Sequence, residues 1–302
     1  MKSAVLFLIF KREDTTRKVF DRIREAKPPR LYIAADGPRQ GRSDEVEKCS
    51  KTREIVENID WPCEVHRLYR DKNLGCGRGV SSAITWFFEH EEQGIIIEDD
   101  VLPHLDFFEY CDEMLDKYKD DEKIQLIAGY SSFYNGYDSE VSYYMSSHLE
   151  IWGWASWKRV WNTYEYDLGQ IDRKVFKKKV ENRLPSRNAK YFIRNYDSML
   201  HYSIDTWDYQ LAVNQFMFER YTILPYVNMV ENLGFGSEDA AHTKEINDMI
   251  SNHKSHPILP IHHPSKFFVD IDADIITMRN QGEFVLPIIM RLLKKICTLL
   301  KK

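Results

Sequence analysis

The chain has 302 residues, 43% of them hydrophobic and 29% charged, with a net charge of −5, which suits a soluble protein with one large core. That acidic balance argues against nucleic acid as the main ligand. The five cysteines, Cys49, Cys63, Cys76, Cys111 and Cys297, form no Cys-x-x-Cys pair, which argues against a zinc site or a disulfide framework and predicts a reducing, cytoplasmic setting.

The N-terminal run Ala4–Phe10 leads into Lys11-Arg12-Glu13-Asp14. It is a strand, too short to span a membrane and without a cleavage-site pattern. Thr15–Ala26 reads as an amphipathic helix with Val19, Phe20 and Ile23 on its apolar side, and Pro28-Pro29 breaks the chain. Leu31–Ala35 is a second strand, Asp36-Gly37-Pro38 a turn, and Ser43–Ile59 a polar helix with Val46, Ile55, Val56 and Ile59 as candidate buried positions. Glu64–Tyr69 is a third strand, Asn73-Leu74-Gly75-Cys76-Gly77 a glycine loop, Val80–Glu89 a helix and Gly94–Ile97 a fourth strand. This alternation predicts βαβ units and a parallel sheet with right-handed crossovers. Further on, Asp106–Tyr118 reads as a helix, Ile124–Ala128 as a strand and Ser131–Ser139 as a loop. Tyr143–Met145 is a short strand, Phe176–Arg187 a basic surface excursion, Ile204–Arg220 a helix and Thr222–Leu224 a last strand. Val227–Thr243 is predicted as an irregular tail over the site, and Ser251–Asp270, which contains three prolines, as extended.

The chemistry concentrates where Gly94-Ile95-Ile96-Ile97 ends in Glu98-Asp99-Asp100. An apolar, β-branched run of this kind is a strand buried on both faces. Three adjacent carboxylates at its end repel one another unless a cation sits among them. Hard divalent ions take oxygen ligands and bridge carboxylates to substrate phosphates. In open α/β sheets, ligands bind beyond the carboxyl ends of the strands. The plainer interpretation is a solvated acidic turn before a helix near Pro103. A metal–diphosphate site is preferred because the acids close a buried strand.

No G-x-G-x-x-G follows the first strand and no P-loop is present, which argues against a dinucleotide-binding dehydrogenase and a P-loop NTPase. Arg12, Asp36 and Arg78 each follow a predicted strand, so they should converge at the carboxyl edge of the sheet as nucleotide contacts. Four tryptophans, Trp152, Trp154, Trp157 and Trp161, fall within ten residues around Gly153. Such a cluster either packs a core or stacks on a sugar; stacking, with Trp152, Gly153 and Trp154 at the acceptor, is the expectation.

These segments resemble the GT-A class of nucleotide-sugar glycosyltransferases. They are most similar to bacterial relatives of the α-mannoside β-1,2-N-acetylglucosaminyltransferase family. The resemblance lies in Ile95–Pro103 and Asp106-Phe107-Phe108-Glu109-Tyr110, in Arg12–Ile23 and in Ala35-Asp36-Gly37. It continues through Trp152–Arg159, Trp207-Asp208-Tyr209-Gln210, Asn232–Gly236 and His242-Thr243, and so spans roughly residues 1–245. It implies an α/β fold with a mostly parallel sheet flanked by helices, and inverting transfer from a UDP-sugar to a carbohydrate hydroxyl. Residue by residue, it implies that Asp100 and His242 ligate Mn²⁺ or Mg²⁺ and that Asp99, with Glu98 beside it, binds the donor ribose. It further implies that Asp36 accepts from uracil N3–H and that Arg12 and Arg78 hold the nucleotide. Asp208 would be the catalytic base, with Asp205 one turn earlier as its competitor.

The domain expectation is a glycosyltransferase domain over 1–245, divided near 140 into donor and acceptor halves, then an extended segment over 246–283. In the last stretch, 284–302, Ile289, Leu292, Leu293, Ile296 and Leu300 form one helical face and Arg291, Lys295, Thr298 and Lys302 another. Such a basic amphipathic helix either lies on an anionic membrane or docks on protein. A membrane site would suit a lipid-linked glycan acceptor. The rival functions are a sugar nucleotidyltransferase, which would carry a glycine-rich loop where Lys11-Arg12-Glu13-Asp14 stands, and a non-catalytic nucleotide-sugar-binding scaffold.

Overall fold

The computed structural model describes residues 1–202, 204–234 and 252–280. Its parallel half is built from β1 (Ala4–Ile9), β2 (Arg30–Ala35), β3 (Glu64–Tyr69) and β4 (Gln93–Glu98), in the order β3-β2-β1-β4. They are joined by α1 (Glu13–Ala26), α2 (Ser43–Ile55) and α3 (Gly75–His90). Beyond β4 the same eight-stranded sheet continues through β8 (Trp154–Trp157), β6 (Ile124–Ala128), β9 (Tyr221–Pro225) and β7 (Tyr143–Ser146). β8 runs antiparallel to both neighbours and β7 antiparallel to β9; the remaining six strands share one direction. This is an α/β fold with a mostly parallel, helix-flanked sheet, as the GT-A resemblance implies. The sheet draws strands from both sides of residue 140.

Strand alternation sorts the core into two layers, because successive side chains point to opposite faces. Val5, Phe7 and Ile9 of β1 and Ile95 and Ile97 of β4 pack with Val19, Phe20 and Ile23 of α1. Ala4, Leu6 and Leu8 and Ile96 face the other way, onto Ala83, Ile84, Phe87 and Phe88 of α3. Glu98 therefore falls on the α3 side of the sheet. Gly94 admits α3 to close range: a Cβ there would collide with the Phe87 ring and lie 2.9 Å from the Ala4 carbonyl oxygen. A second, two-stranded ribbon pairs β5 (Val101–Pro103) with β10 (Val230–Asn232), which brings Leu233 and Gly234 beside Asp100.

Several elements differ from expectation. The glycine loop is the first turn of α3, since Gly75 opens the helix at φ +81. The polar helix ends at Ile55 and turns Val46 outward at 57% exposure; its buried positions are Glu45, Cys49, Thr52 and Ile55. Glu45 is buried because Lys11 and Arg39 pair with it. The basic excursion is two helices, α6 (Arg173–Arg183) and α7 (Ser186–Tyr202). Phe176, Val180, Phe192 and Tyr196 form a satellite core there with Phe216 of α8 (Asp208–Met217). α8 is shorter than the predicted Ile204–Arg220 helix, because Asp205 turns back to cap α3.

Trp154, Trp157 and Trp161 are core rather than part of a sugar-stacking loop. β8 is an interior strand, so Trp154 and Trp157 are buried on opposite faces, and Trp154 stacks on Trp207 at 5.6 Å. Trp154 cannot reach an acceptor. Gly153 serves the backbone, with φ +63 and Val230 3.0 Å from where a Cβ would stand. The expected extended segment ends in a helix, α9 (Ile271–Asn280), begun where Asp270 accepts the Ala273 N–H at 2.9 Å. The predicted C-terminal amphipathic helix lies outside the described residues, among which no helix is long and apolar enough to cross a membrane.

α9 is tied to the end of β7 by Asp274, which is buried and accepts the Ser146 hydroxyl and the Ser147 N–H. Burial pushes its carboxyl up to about 6. A carboxyl raised on folding stabilises the fold below its unfolded pKa and loses that contribution as pH climbs through the folded value. Stability should therefore fall between the ordinary carboxyl range and about pH 6, and urea titrations should show a flatter profile for Asp274→Asn across that window. For the sheet, Gly94→Ala should lower stability by about 1–3 kcal/mol through overpacking against Phe87, measured by the same unfolding experiment.

Candidate functional site

The site gathers at the carboxyl edge of the parallel strands. β1 delivers Arg12 and β4 delivers Glu98, Asp99 and Asp100. Arg12 Nη1 lies 3.0 Å from Asp99 Oδ1 and also contacts Asp100 Oδ2. Asp99 Oδ2 accepts the Phe10 N–H at 3.1 Å, so both oxygens of Asp99 are tied to the β1–α1 connection. That connection is itself anchored: Lys11 is buried and pairs with Glu45 of α2 at 3.0 Å. Burial raises the Glu98 carboxyl pKa, and repulsion from Asp100 and Asp99 adds to it. Asp99 is likewise lifted by burial, against the pull of Arg12. Burial opposes the charge on Arg12, yet Asp99, Asp100 and Glu98 together hold its pKa above the ordinary value.

A second group surrounds the N-terminus of α3. Asp36, after β2, accepts the N–H groups of Gly37 and Leu74 at 3.0 Å. Its carboxyl is raised by burial and partly drawn back by those amides. Asp205 accepts the N–H groups of Cys76 at 2.9 Å and Gly77 at 2.8 Å. It is thus a cap on α3, supplied from a segment far along the chain. The glycines make the cap fit, since a Cβ on Gly75 would collide with the Asp205 carboxylate. One on Gly77 would lie 2.5 Å from the Tyr166 hydroxyl.

Asp208, at the start of α8, is half-buried; its Oδ1 accepts the Tyr209 N–H at 2.9 Å and the Thr206 hydroxyl. Its Oδ2 has no hydrogen-bond partner among the described residues. Asp208 contributes to raising the Glu98 pKa, and Cys76 feels Glu98, Asp208 and Asp205 together. Burial first, then these acids, push the Cys76 thiol up to about 12, which disfavours its thiolate form.

The remaining expected residues lie differently. Arg78 is exposed and sits over the Tyr166 ring at 4.5 Å, not against the acids. Trp152 is half-buried, edge-on to Tyr130 at 4.6 Å, while Trp154 is wholly enclosed. His242 lies outside the described residues. Sequence reasoning placed Gly234 within the Asn232–Gly236 resemblance without a contact to Asp100, and it did not single out Tyr166. Gly234 matters because a Cβ there would collide with Asp100 Oδ2. The Gly234 backbone therefore packs directly against that carboxylate, which only a glycine allows. Among the described residues no three His, Cys, Asp or Glu are arranged to hold a metal alone. A divalent ion here would draw its other oxygens from phosphate and water, as Mg²⁺ commonly does.

No protein-family model matches the sequence, and no curated protein matches it either. Among solved structures, HddC from Yersinia pseudotuberculosis is similar at 11% identity, covering 55% of this chain and 81% of its own, with a TM-score of 0.32. UDP-glucose pyrophosphorylase complexed with UDP-glucose is similar at 14% identity, over 50% of this chain and 64% of its own, with a TM-score of 0.29. S. aureus TarS 1-349 is similar at 9% identity, over 68% and 72%, with a TM-score of 0.38. Likenesses this faint bear on neither activity nor substrate.

The geometry separates the two neighbouring acids. Asp205→Ala should lower stability by about 0.5–2 kcal/mol through loss of the α3 cap, whereas Asp205→Asn should retain most of it. Thermal unfolding of both variants checks this assignment.

Proposed function

We propose that this chain is an inverting glycosyltransferase that moves a sugar from a nucleotide-diphosphate donor, most consistently a UDP-sugar, to a carbohydrate hydroxyl. The observation that carries the proposal is the acid triplet at the carboxyl end of β4, with Arg12 on one side and Asp208 within electrostatic reach on the α3 side. The α/β sheet is consistent with nucleotide binding at that edge. β1 runs directly into α1 through Arg12 with no glycine-rich loop, which favours transfer over nucleotidyl chemistry.

Asp36 would orient the base, and Arg12 and Asp99 the ribose and phosphates. Asp208 would take the proton of the acceptor hydroxyl as its oxygen bonds to the anomeric carbon. The bond from that carbon to the diphosphate breaks on the opposite side, which inverts the configuration. Mn²⁺ or Mg²⁺ at Asp100, where the bound ion would neutralise charge on the departing diphosphate, completes the reading. Trp152 is the acceptor-side aromatic left accessible, and a carbohydrate or lipid-linked glycan is the acceptor class that fits the reading.

Incubation with a panel of nucleotide sugars, with and without Mn²⁺, tests the proposal. Slow release of nucleoside diphosphate supports it. Pyrophosphate release would replace it with nucleotidyl transfer, and binding without turnover would leave a scaffold. Asp208→Asn should retain donor binding and lose transfer by ~10²–10⁴-fold, while Asp205→Asn loses far less. The reverse pattern would exchange the two roles. Asp100→Asn should abolish metal-dependent turnover with the fold intact by circular dichroism.

A further inference from the structure

The chain carries a net charge of −5, yet between residues 172 and 202 nine Lys and Arg stand against three Asp and Glu, a local net of +6. Charge segregated this sharply bears on partners more than on folding. α6 and α7 hold the excess as an antiparallel pair, since Arg173 at the start of α6 meets Asp197 near the end of α7 at 2.5 and 2.7 Å. Phe176 and Val180 of α6 and Phe192 and Tyr196 of α7 bury the inner sides of both helices with Phe216 of α8. At 3.6 residues per turn, the opposite sides then present Lys174 and Lys178 from α6, and Arg187, Lys190 and Arg194 from α7. All five are exposed, and none takes part in an ion pair among the described residues. The three acids are engaged elsewhere: Asp172 caps α6, while Glu181 and Asp197 pair with Lys177 and Arg173. The positive charge of this face is therefore not neutralised within the fold.

Two further observations bear on what meets it. Val175 stands beside the lysines at 41% exposure, and Leu200 and Ile204, at and just beyond the end of α7, are each 40% exposed. None of the outward cationic positions has an aromatic neighbour on its own face to stack on a base or a sugar, as a nucleic-acid or glycan platform would. The second observation is where the chain leads. Met278 of α9 packs into the same satellite core as Phe192 of α7, and the sequence that follows α9 adds Arg291, Lys294, Lys295, Lys301 and Lys302 against the single acid Glu283. Cations gathered with exposed aliphatic side chains suit a bilayer surface, where the charged heads meet anionic headgroups and the aliphatic groups enter the interface.

We propose that the outward face of α6 and α7 is a docking surface for an anionic lipid bilayer. The same membrane repels the acidic remainder of the molecule, so the charge distribution also selects the orientation in which this face is presented. α7 leads through Ile204 into Asp205 and Asp208, and docking here sets that end of the candidate site beside the bilayer. The inference stands on charge and packing alone and does not depend on which reaction the site performs.

Flotation of the full chain with vesicles of equal parts phosphatidylcholine and phosphatidylglycerol, and with vesicles of phosphatidylcholine alone, tests it. The protein should float with the anionic vesicles only, and added salt should release it. Replacing Lys174, Lys178, Lys190 and Arg194 together by glutamine should weaken that binding about tenfold or more, because each cation near such a surface contributes about fivefold. The melting temperature should hold, since none of the four is paired; if that variant does not fold, Lys190→Gln with Arg194→Gln decides in its place. A comparison variant with Arg291, Lys294 and Lys295 replaced by glutamine keeps the two basic regions apart. Binding of the α6–α7 variant as tight as that of the unaltered protein would overturn the proposal, whatever the comparison variant does. Equal flotation with both vesicle types would overturn it too, as would binding to heparin or a single-stranded oligonucleotide without binding to anionic vesicles.

Discussion

Negative charge at the end of β4 is the constraint around which the edge of this sheet is arranged. Glu98, Asp99 and Asp100 close a strand whose preceding residues are buried on both faces, and carboxylates so placed repel one another as well as resisting desolvation. Arg12 answers them from the end of β1, and the Phe10 N–H adds a backbone donor to Asp99. A charge pair of this kind is weak evidence for net stability, since desolvation offsets much of its attraction. Its effect here is positional: it holds the β1–α1 connection against the triplet, and Lys11–Glu45 fastens the same connection to α2.

Across the sheet, the N-terminus of α3 is built to approach closely. Gly75 and Gly77 let Asp205 reach the Cys76 and Gly77 amides, and Asp36 takes the Leu74 amide from the other side. Helix ends leave donors unsatisfied, and this one satisfies them with acids from β2 and from the segment before α8. The same arrangement brings Asp208 within range of Glu98. A cap thus joins the parallel half of the sheet to the later helices, and the base candidate rides on that joint.

Tyrosines and a buried acid do comparable work at the opposite end of the sheet. Tyr137 and Tyr226 stack at 4.8 Å and both donate to Asp270, while Asp274 holds Ser146 and Ser147. These contacts fasten α9 to β7 over more than a hundred residues of sequence. Periodicity could not announce them, because Asp270, Asp272 and Asp274 alternate with apolar residues and nothing local says which of them a distant strand will meet.

Local pattern was enough for β1 to β4, the intervening helices and the position of the triplet. The runs Ala4–Ile9 and Gly94–Ile97 are apolar over their full length, and a strand enclosed on both faces needs nothing else to declare itself. Tertiary structure decided the rest wherever a side chain's surroundings come from distant segments. Trp154 looks like a ring offered to a sugar until β8 is seen to enter the sheet between β4 and β6, which encloses it. Glu45 looks like a surface acid until Lys11 and Arg39 arrive to pair with it. Asp205 and Asp208 are equivalent on a helical wheel, but only the fold sends the first to cap α3 and leaves the second within electrostatic range of Glu98. Hydrophobic periodicity reports which way a side chain faces along its own element; what it meets there depends on contacts that close large loops, and these are fixed only when the whole core packs.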